Sequence, residues 1–312
     1  MKNLKKLLAV VAFGFLAVPF AAQAQDYDYQ TIDYPGADST QVFGINDRGD
    51  AVGNGFTDPD VFPFVYDTKK GRLTDVPLVA GYDSTAVIGI SESGVLVGSV
   101  NDTGLGTRSG LILDKKGKPT VFDHPDAVSL TEARGVNNQG LVTGYRDLAS
   151  GESWGFIYDP KTGSFTDIVP SFFTIAHGIN SRGDVVGSAL FVDPANGPCP
   201  GSLNAFYLGW LRTAEGHVTF FDVNGGNTRA RGITDSGTIA GFAADTATGL
   251  SSGFVVNLDG SPCQSITIAA DDLLMFPGSS NTVVGGIKNS GEVTGSYIDG
   301  SGVFRGFVAT PQ

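Results

Sequence analysis

One ten-residue pattern recurs six times along this chain and limits the folds open to it. The copies are GINDRGDAVG from Gly44, GISESGVLVG from Gly89, GVNNQGLVTG from Gly135, GINSRGDVVG from Gly178, GITDSGTIAG from Gly232 and GIKNSGEVTG from Gly286. Successive copies start 45, 46, 43, 54 and 54 residues apart. A threonine stands four residues before the first glycine of each copy: Thr40, Thr85, Thr131, Thr174, Thr228 and Thr282. Two residues before that glycine the chain carries only valine or alanine. Self-similarity at a period of roughly 20–50 residues marks a repeat architecture, in which each copy is one supersecondary unit.

Each copy reads as a tight hairpin. Thr-x-Val-x-Gly-Ile alternates as a strand does, Asn-Asp-Arg-Gly and its relatives supply a turn, and the strand then resumes. A third strand follows, as at residues 63–66, 155–158 and 253–256, and a fourth after a polar turn, as at 73–77 and 165–168. Four short antiparallel strands in about 45 residues match one propeller blade. The sixth copy stops after its third strand, and residues 29–35 have the fourth-strand pattern without the first three. The expectation is an all-β, six-bladed β-propeller with four antiparallel strands per blade, its last blade closed by the N-terminal strand. An open solenoid is the alternative. Valine, alanine and glycine on the strand nearest the axis let neighbouring backbones approach. Asn46, Asn137 and Asn180 read as turn residues bonding their own backbone.

Residues 1–24 read as a secretory signal: Lys2, Lys5 and Lys6, an apolar run over 7–20, then Ala22-Gln23-Ala24 before the cleavage point. That run is short for a bilayer span. Residues 25–312 then form a single propeller domain, periplasmic or secreted, with no membrane insertion of the mature chain. Losing three lysines takes the formal charge from -12 to -15. So acidic a surface excludes nucleic acid, which needs a basic footprint. The mature protein is expected to be a monomer.

These repeats resemble those of bacterial extracellular HAF-repeat proteins, whose third strand often reads His-Ala-Phe. The triplets here are Asn204-Ala205-Phe206, Trp154-Gly155-Phe156, Ser252-Gly253-Phe254 and Arg305-Gly306-Phe307. The resemblance implies export and a repetitive β fold, and it implies no particular activity or catalytic residue.

Recurrence marks scaffold, so function is sought where the copies differ. Just before the motif glycine, at the expected channel mouth, stand Phe43, Ile88, Arg134, His177, Arg231 and Gly285. Two positions earlier stand Gln41, Ala86, Glu132, Ile175, Arg229 and Val283. Arg134, Arg229 and Arg231 with His124 and Trp154 are the candidate ligand-binding residues, since arginine forks match planar anions. His177 is the candidate general base and Glu132 its acid or orienting partner. The competing reading pairs these charges with one another and seals the hub. Trp154, Phe172, Phe173 and Trp210 are the candidate aromatics for sugar stacking, with core packing the favoured role for Trp210.

No nucleophile elbow, phosphate loop, zinc helix or calcium loop appears, and no cofactor or metal site is expected. Asp58 and Asp60, and Asn101 and Asp102, are oxygen-rich loop residues that could hold calcium, with solvated turns the favoured reading. Export permits a disulfide between Cys199 and Cys263. The strand pattern sets them on opposite faces, and the sequence leaves the pairing open. The leading functional expectation is a binding module for a small anion, a glycan or a partner protein at the channel mouth. The alternatives are a hydrolase, lyase or isomerase acting on an anionic substrate through His177, and a structural surface protein.

Overall fold

The computed structural model describes residues 26–168, 171–191, 197–199 and 205–312. The expected signal segment, Gln25 and Asn204 lie outside the described residues. Strand β1 (Tyr27–Ile32) precedes the first copy. Copy one forms β2 (Ser39–Ile45), β3 (Asp50–Thr57), β4 (Asp60–Asp67) and β5 (Arg72–Asp75), an antiparallel sheet in that order. Copy two repeats it with β6 (Ser84–Ile90), β7 (Leu96–Asp102), β8 (Thr107–Leu113) and β9 (Pro119–Phe122).

Copy three supplies β10 (Thr131–Val136), β11 (Val142–Asp147), β12 (Ser153–Asp159) and β13 (Ser164–Ile168). Copy four supplies β14 (Phe173–Ile179), β15 (Val185–Leu190), β16 (Tyr207–Arg212) and β17 (Val218–Val223). A bridge between Ser153 and Phe173 joins these two sets into one larger sheet. Copy five forms β18 (Asn227–Ile233), β19 (Ile239–Ala244) and β20 (Ser251–Val256), then β21 (Cys263–Ile266). Copy six forms β22 (Thr282–Ile287), β23 (Val293–Ile298) and β24 (Phe304–Pro311). Its fourth strand is β1, antiparallel to β24 from Tyr27 opposite Pro311 to Ile32 opposite Gly306. The fold is all-β and propeller-like.

Two sets of glycines explain why the motif recurs. A Cβ on the first glycine of a copy would strike the next copy's backbone: at Gly44 it would lie 3.0 Å from the Ile88 carbonyl oxygen, and at Gly178 it would lie 2.7 Å from that of Arg231. The series runs through Gly89, Gly135 and Gly232 to Gly286, whose Cβ would lie 3.1 Å from the Cα of Gly44. The last glycine of each motif faces a large third-strand side chain: Gly53 opposes Phe64, Gly98 Leu111, Gly144 Phe156, Gly187 Trp210, Gly241 Phe254 and Gly295 Phe307. All six of those partners are fully buried, and in every copy but the second a Cβ on the glycine would strike the partner's ring, so the glycine is the notch into which that ring fits.

The copy-four register corrects the sequence reading. Its third strand is centred on Gly209-Trp210, not on Asn204-Ala205-Phe206, and Phe206 is exposed. The long preceding loop had shifted the frame, and packing decides it: Trp210 fills the slot held elsewhere by Phe or Leu.

Polar staples link the copies. The motif asparagines do bond their own turns, as Asn46 Oδ1 accepts the Asp50 N–H at 2.9 Å. Their amide groups also donate to the next copy: Asn46 to the Ser91 carbonyl, Asn137 to that of Asn180, and Asn180 to that of Thr234, each at 3.1 Å. The recurrent threonines serve as latches. Thr40, Thr85, Thr131, Thr228 and Thr282 each accept, at 2.9–3.0 Å, a backbone N–H from the link that enters their copy. A buried N–H without such a partner would cost about 1–3 kcal/mol.

Copy five departs from the pattern. Strand β21 leaves its own sheet and pairs in parallel with β17 of copy four, from Phe220 opposite Cys263 to Val223 opposite Ile266. Its sheet therefore keeps three strands. This displacement carries Cys263 to Cys199, and the two form a disulfide with Cα atoms 5.8 Å apart. The opposite-face placement assumed that β21 stays in its own copy.

Gly178→Val is expected to cost about 1–3 kcal/mol or more, because neighbouring backbone cannot move aside. Gly300, with nothing near its Cβ position and no positive φ, is the control and should accept Val with little change. Urea melts of the two variants test this, and equal losses would contradict the close-approach account. Deleting residues 26–35 should expose the edge of β24 and uncover Phe307, against which Tyr29 packs. The expected result is aggregation or a markedly lower melting temperature by light scattering and circular dichroism. A monomer with unchanged melting would contradict the closing role of β1.

Candidate functional site

The first strands of all six copies carry a β-bulge at one place. The pairing register slips between Val42 and Gly44, Val87 and Gly89, Ala133 and Gly135, Ala176 and Gly178, Ala230 and Gly232, and Val284 and Gly286. A bulge leaves one residue unpaired and re-aims its side chain. That residue is Phe43, Ile88, Arg134, His177, Arg231 or Gly285, and all six line one central cavity of about 110 Å³. A ring of Ile45, Ile90, Val136, Ile179, Ile233 and Ile287 separates it from a second, turn-side cavity. At that far end the turns are tied in sequence. The Asp47 N–H donates to Glu92 at 2.7 Å, Glu92 N–H to Asn138 at 3.1 Å, Ser181 N–H to Asp235 at 2.8 Å, Asp235 N–H to Asn289 at 2.7 Å, and Asn289 N–H back to Asp47 at 2.7 Å.

The mouth-side cavity has an uneven charge balance. Glu132, only 3% exposed, meets Arg134 Nε at 2.6 Å and an Arg108 terminal nitrogen at 2.8 Å. Arg134 lies over the Tyr145 ring, its carbon 5.4 Å from the centroid. Burial pulls its guanidinium down, but Glu132 and Tyr145 outweigh this and hold its pKa above the usual arginine value. Arg229 stacks on Tyr207 at 4.2 Å, and Arg231 lies 5.3 Å from the Phe242 centroid. Among the described residues Arg231 has no carboxylate partner, and its buried Nε has no hydrogen bond. Burial first, then Arg134 and Arg229, push its pKa down to about 9. Arg231 is therefore charged at neutral pH, beside two like charges.

His177 is buried in the same wall. Its Nε2 meets the Ser188 hydroxyl at 3.2 Å, and its Nδ1 has no partner. Burial, then Arg231, Arg134 and Arg229, hold its pKa well below the usual 6.5. Such an imidazole stays neutral at physiological pH and is a weak general base, since catalytic efficiency wants a pKa near the working pH. Glu132 is engaged by two arginines rather than by His177.

His124 and Trp154 lie outside the cavity lining. His124 is buried against Phe165, with ring centroids 4.4 Å apart, and its Nδ1 accepts the Asp126 N–H at 3.1 Å. Burial, then Arg146, lower its pKa, with Asp167 and Asp126 opposing. Trp154 lies 5.5 Å from Arg146, which is itself buried and forks onto Asp167 at 2.7 and 3.1 Å. The structure thus gathers Arg134, His177 and Arg231 at one mouth, with Glu132 and Arg229 beside them, and sets His124 and Trp154 apart. Sequence reasoning missed Arg108 and Tyr145, which stand on strands β8 and β11 at positions that no repeat marks. Among the described residues no cluster of His, Cys, Asp or Glu is arranged to hold a metal ion, and no helix is long and apolar enough to cross a membrane.

The fold is that of known propellers. It is similar to TolB from Acinetobacter baumannii, with a TM-score of 0.50 and 12% identity over 87% of this chain and 54% of TolB. The chain thus spans about half the length of TolB. It is also similar to a putative gluconolactonase, with a TM-score of 0.50 and 13% identity over 92% of this chain and 93% of the other. A streptogramin B lyase aligns with a TM-score of 0.46 and 13% identity over 94% and 100% of the two chains. Identities this low establish the fold alone. No known protein family matches the chain, and no curated protein does.

His177 yields a pH prediction. Its folded pKa lies below the unfolded 6.5, so the unfolded chain takes up the proton first. The stability involved is complete above pH 6.5 and drains as pH falls below it; His124 acts in the same direction. The melting temperature should fall between about pH 7 and 5, and His177→Gln should flatten part of that fall. Parallel curves for the two proteins would contradict the assignment.

Proposed function

We propose that this chain is an exported six-bladed propeller of the HAF-repeat kind that binds a small anion at its channel mouth. The observation that carries the reading is the unpaired Arg231, set beside Arg134 and Arg229 where Glu132 is the one carboxylate among the mouth residues. Removing a guanidinium from water without a counter-charge is costly, and an entering anion offsets that cost. A volume of about 110 Å³ suits a carboxylate or sulfate and is well below the roughly 300 Å³ where drug-sized pockets begin. Six motif copies whose first glycines contact one another in cyclic order support the blade count. The disulfide and the signal-like residues 1–24 support an oxidising, exported location.

Binding rather than turnover is favoured, because His177 is held neutral with a depressed pKa and Glu132 is already paired. Calorimetric titration of the purified protein with acetate and sulfate tests the proposal. Arg231→Ala should weaken binding at least tenfold, in line with about 1.5–3 kcal/mol for a charged hydrogen bond. His177→Ala should keep most of the affinity. Binding should hold level from pH 6 to 8 and decline as Arg231 deprotonates above about pH 9. No binding of either anion, or binding indifferent to Arg231→Ala, would overturn the reading.

A further inference from the structure

The large hydrophobic side chains that remain exposed are not scattered over the molecule. Among the described residues they are Leu78, Leu105, Val128, Phe172, Phe206 and Leu250, each between 47% and 76% exposed. Leu78, Val128 and Phe172 lie in links between copies; Leu105, Phe206 and Leu250 lie in loops between second and third strands. Both kinds of segment sit on the face where the first strands begin, which is the face of the mouth. Hydrogen bonds tie them together there. Asp147, ending β11, accepts the N–H groups of Val128, Ser129 and Leu130 at 2.8–3.1 Å. Asp83, in the link before β6, accepts from the N–H and hydroxyl of Thr103 at 2.6 Å. The opposite face carries the motif turns and the polar turns between third and fourth strands, with Lys70, Lys116 and Lys161.

One face therefore carries both these apolar side chains and the cationic centre. Single exposed hydrophobics need no explanation, but gathering all of them on one face does. A free inorganic ion would occupy the centre and leave the apolar side chains unused. An acidic sugar would want polar donors as well as flat rings around the mouth; Phe172 and Phe206 offer rings, but Leu78, Leu105, Val128 and Leu250 offer neither. An acidic side chain flanked by apolar residues complements both parts, in the manner of an interface with a charged anchor inside a desolvating border.

We infer that the mouth face docks a partner polypeptide whose Asp or Glu carboxylate enters the channel toward Arg231 while its apolar neighbours cover Leu105, Val128, Phe172 and Leu250. The inference rests on the reading of the mouth as an anion site and names the source of the anion.

Fluorescence anisotropy with a labelled panel of twelve-residue peptides tests it, each peptide carrying one central Glu among Leu and Phe, against a matched panel with Gln. The Glu panel is expected to contain binders at least tenfold tighter than their Gln counterparts, displaced by millimolar acetate. Leu105→Ser with Leu250→Ser should weaken those peptides fivefold or more and leave acetate binding unchanged by calorimetry. Because only exposed side chains change, this double variant should keep the parent melting temperature. Arg231→Ala should weaken peptides and acetate together. If acetate binds through Arg231 but no peptide binds, or peptides ignore the Gln exchange or the double variant, the docking inference fails and the anion site stands. If Arg231→Ala affects neither ligand, both fail. Self-association in sedimentation velocity that is abolished by the double variant would make the occupant a second copy of this chain and overturn the inference, as would binding to acidic oligosaccharides or anionic vesicles, sensitive to the double variant, in place of the peptides.

Discussion

At the first glycine of each copy the next copy's backbone comes within 2.5–3.1 Å of where a β-carbon would stand, and this contact passes from Gly44 around to Gly286 and back. Such an approach leaves no space for even a methyl group, so the glycine is fixed by sterics and not by turn preference. From it follow the small residues beside it, Val42, Val87, Ala133, Ala176, Ala230 and Val284, all buried on the first strands. The neighbouring sheets are then close enough for asparagine amides to reach the next copy's carbonyls. Packing and hydrogen bonding thus depend on one distance.

Much of this architecture is legible in the sequence because sterics leave a period. The glycines, the small residues and the strand at residues 29–35 all announce themselves by recurrence or by its interruption. The six bulge positions could be aligned in the same way, and the structure does bring them to one cavity. What recurrence conceals is the second function of a residue that already has one. The threonines look like small strand residues, yet their hydroxyls fasten the incoming links. The asparagines look like turn residues, yet one amide hydrogen bond of each leaves the copy.

Insertions are where the reading slips. The 54-residue spacings of copies four and five hold the loop that displaced the Trp210 frame and the strand that crosses to β17. Pattern cannot foresee that crossing, because a parallel partner in the preceding copy's sheet satisfies a strand as well as an antiparallel one in its own. The electrostatic partners Arg108 and Tyr145 are hidden for a related reason. They act across strands whose facing residues are set by register, and nothing in their own neighbourhoods marks them. His124 shows the converse: its sequence position suggests the mouth, while an edge-on contact with Phe165 and the adjacent Arg146–Asp167 fork hold it in a separate cluster.

The bulge separates two tasks that a regular strand would join. In a flat ladder, each inward side chain also fills the space between sheets, so changing it disturbs the scaffold. Here the extra residue of each first strand stands out of register, with buried Val or Ala before it and glycine after it doing the packing. Phenylalanine, isoleucine, arginine and histidine all occupy this position within a single chain. Gly285 is the exception, since a Cβ there would lie 2.6 Å from the Phe43 carbonyl oxygen. The axis can thus present aromatic, aliphatic and cationic groups side by side from five copies of one unchanging frame.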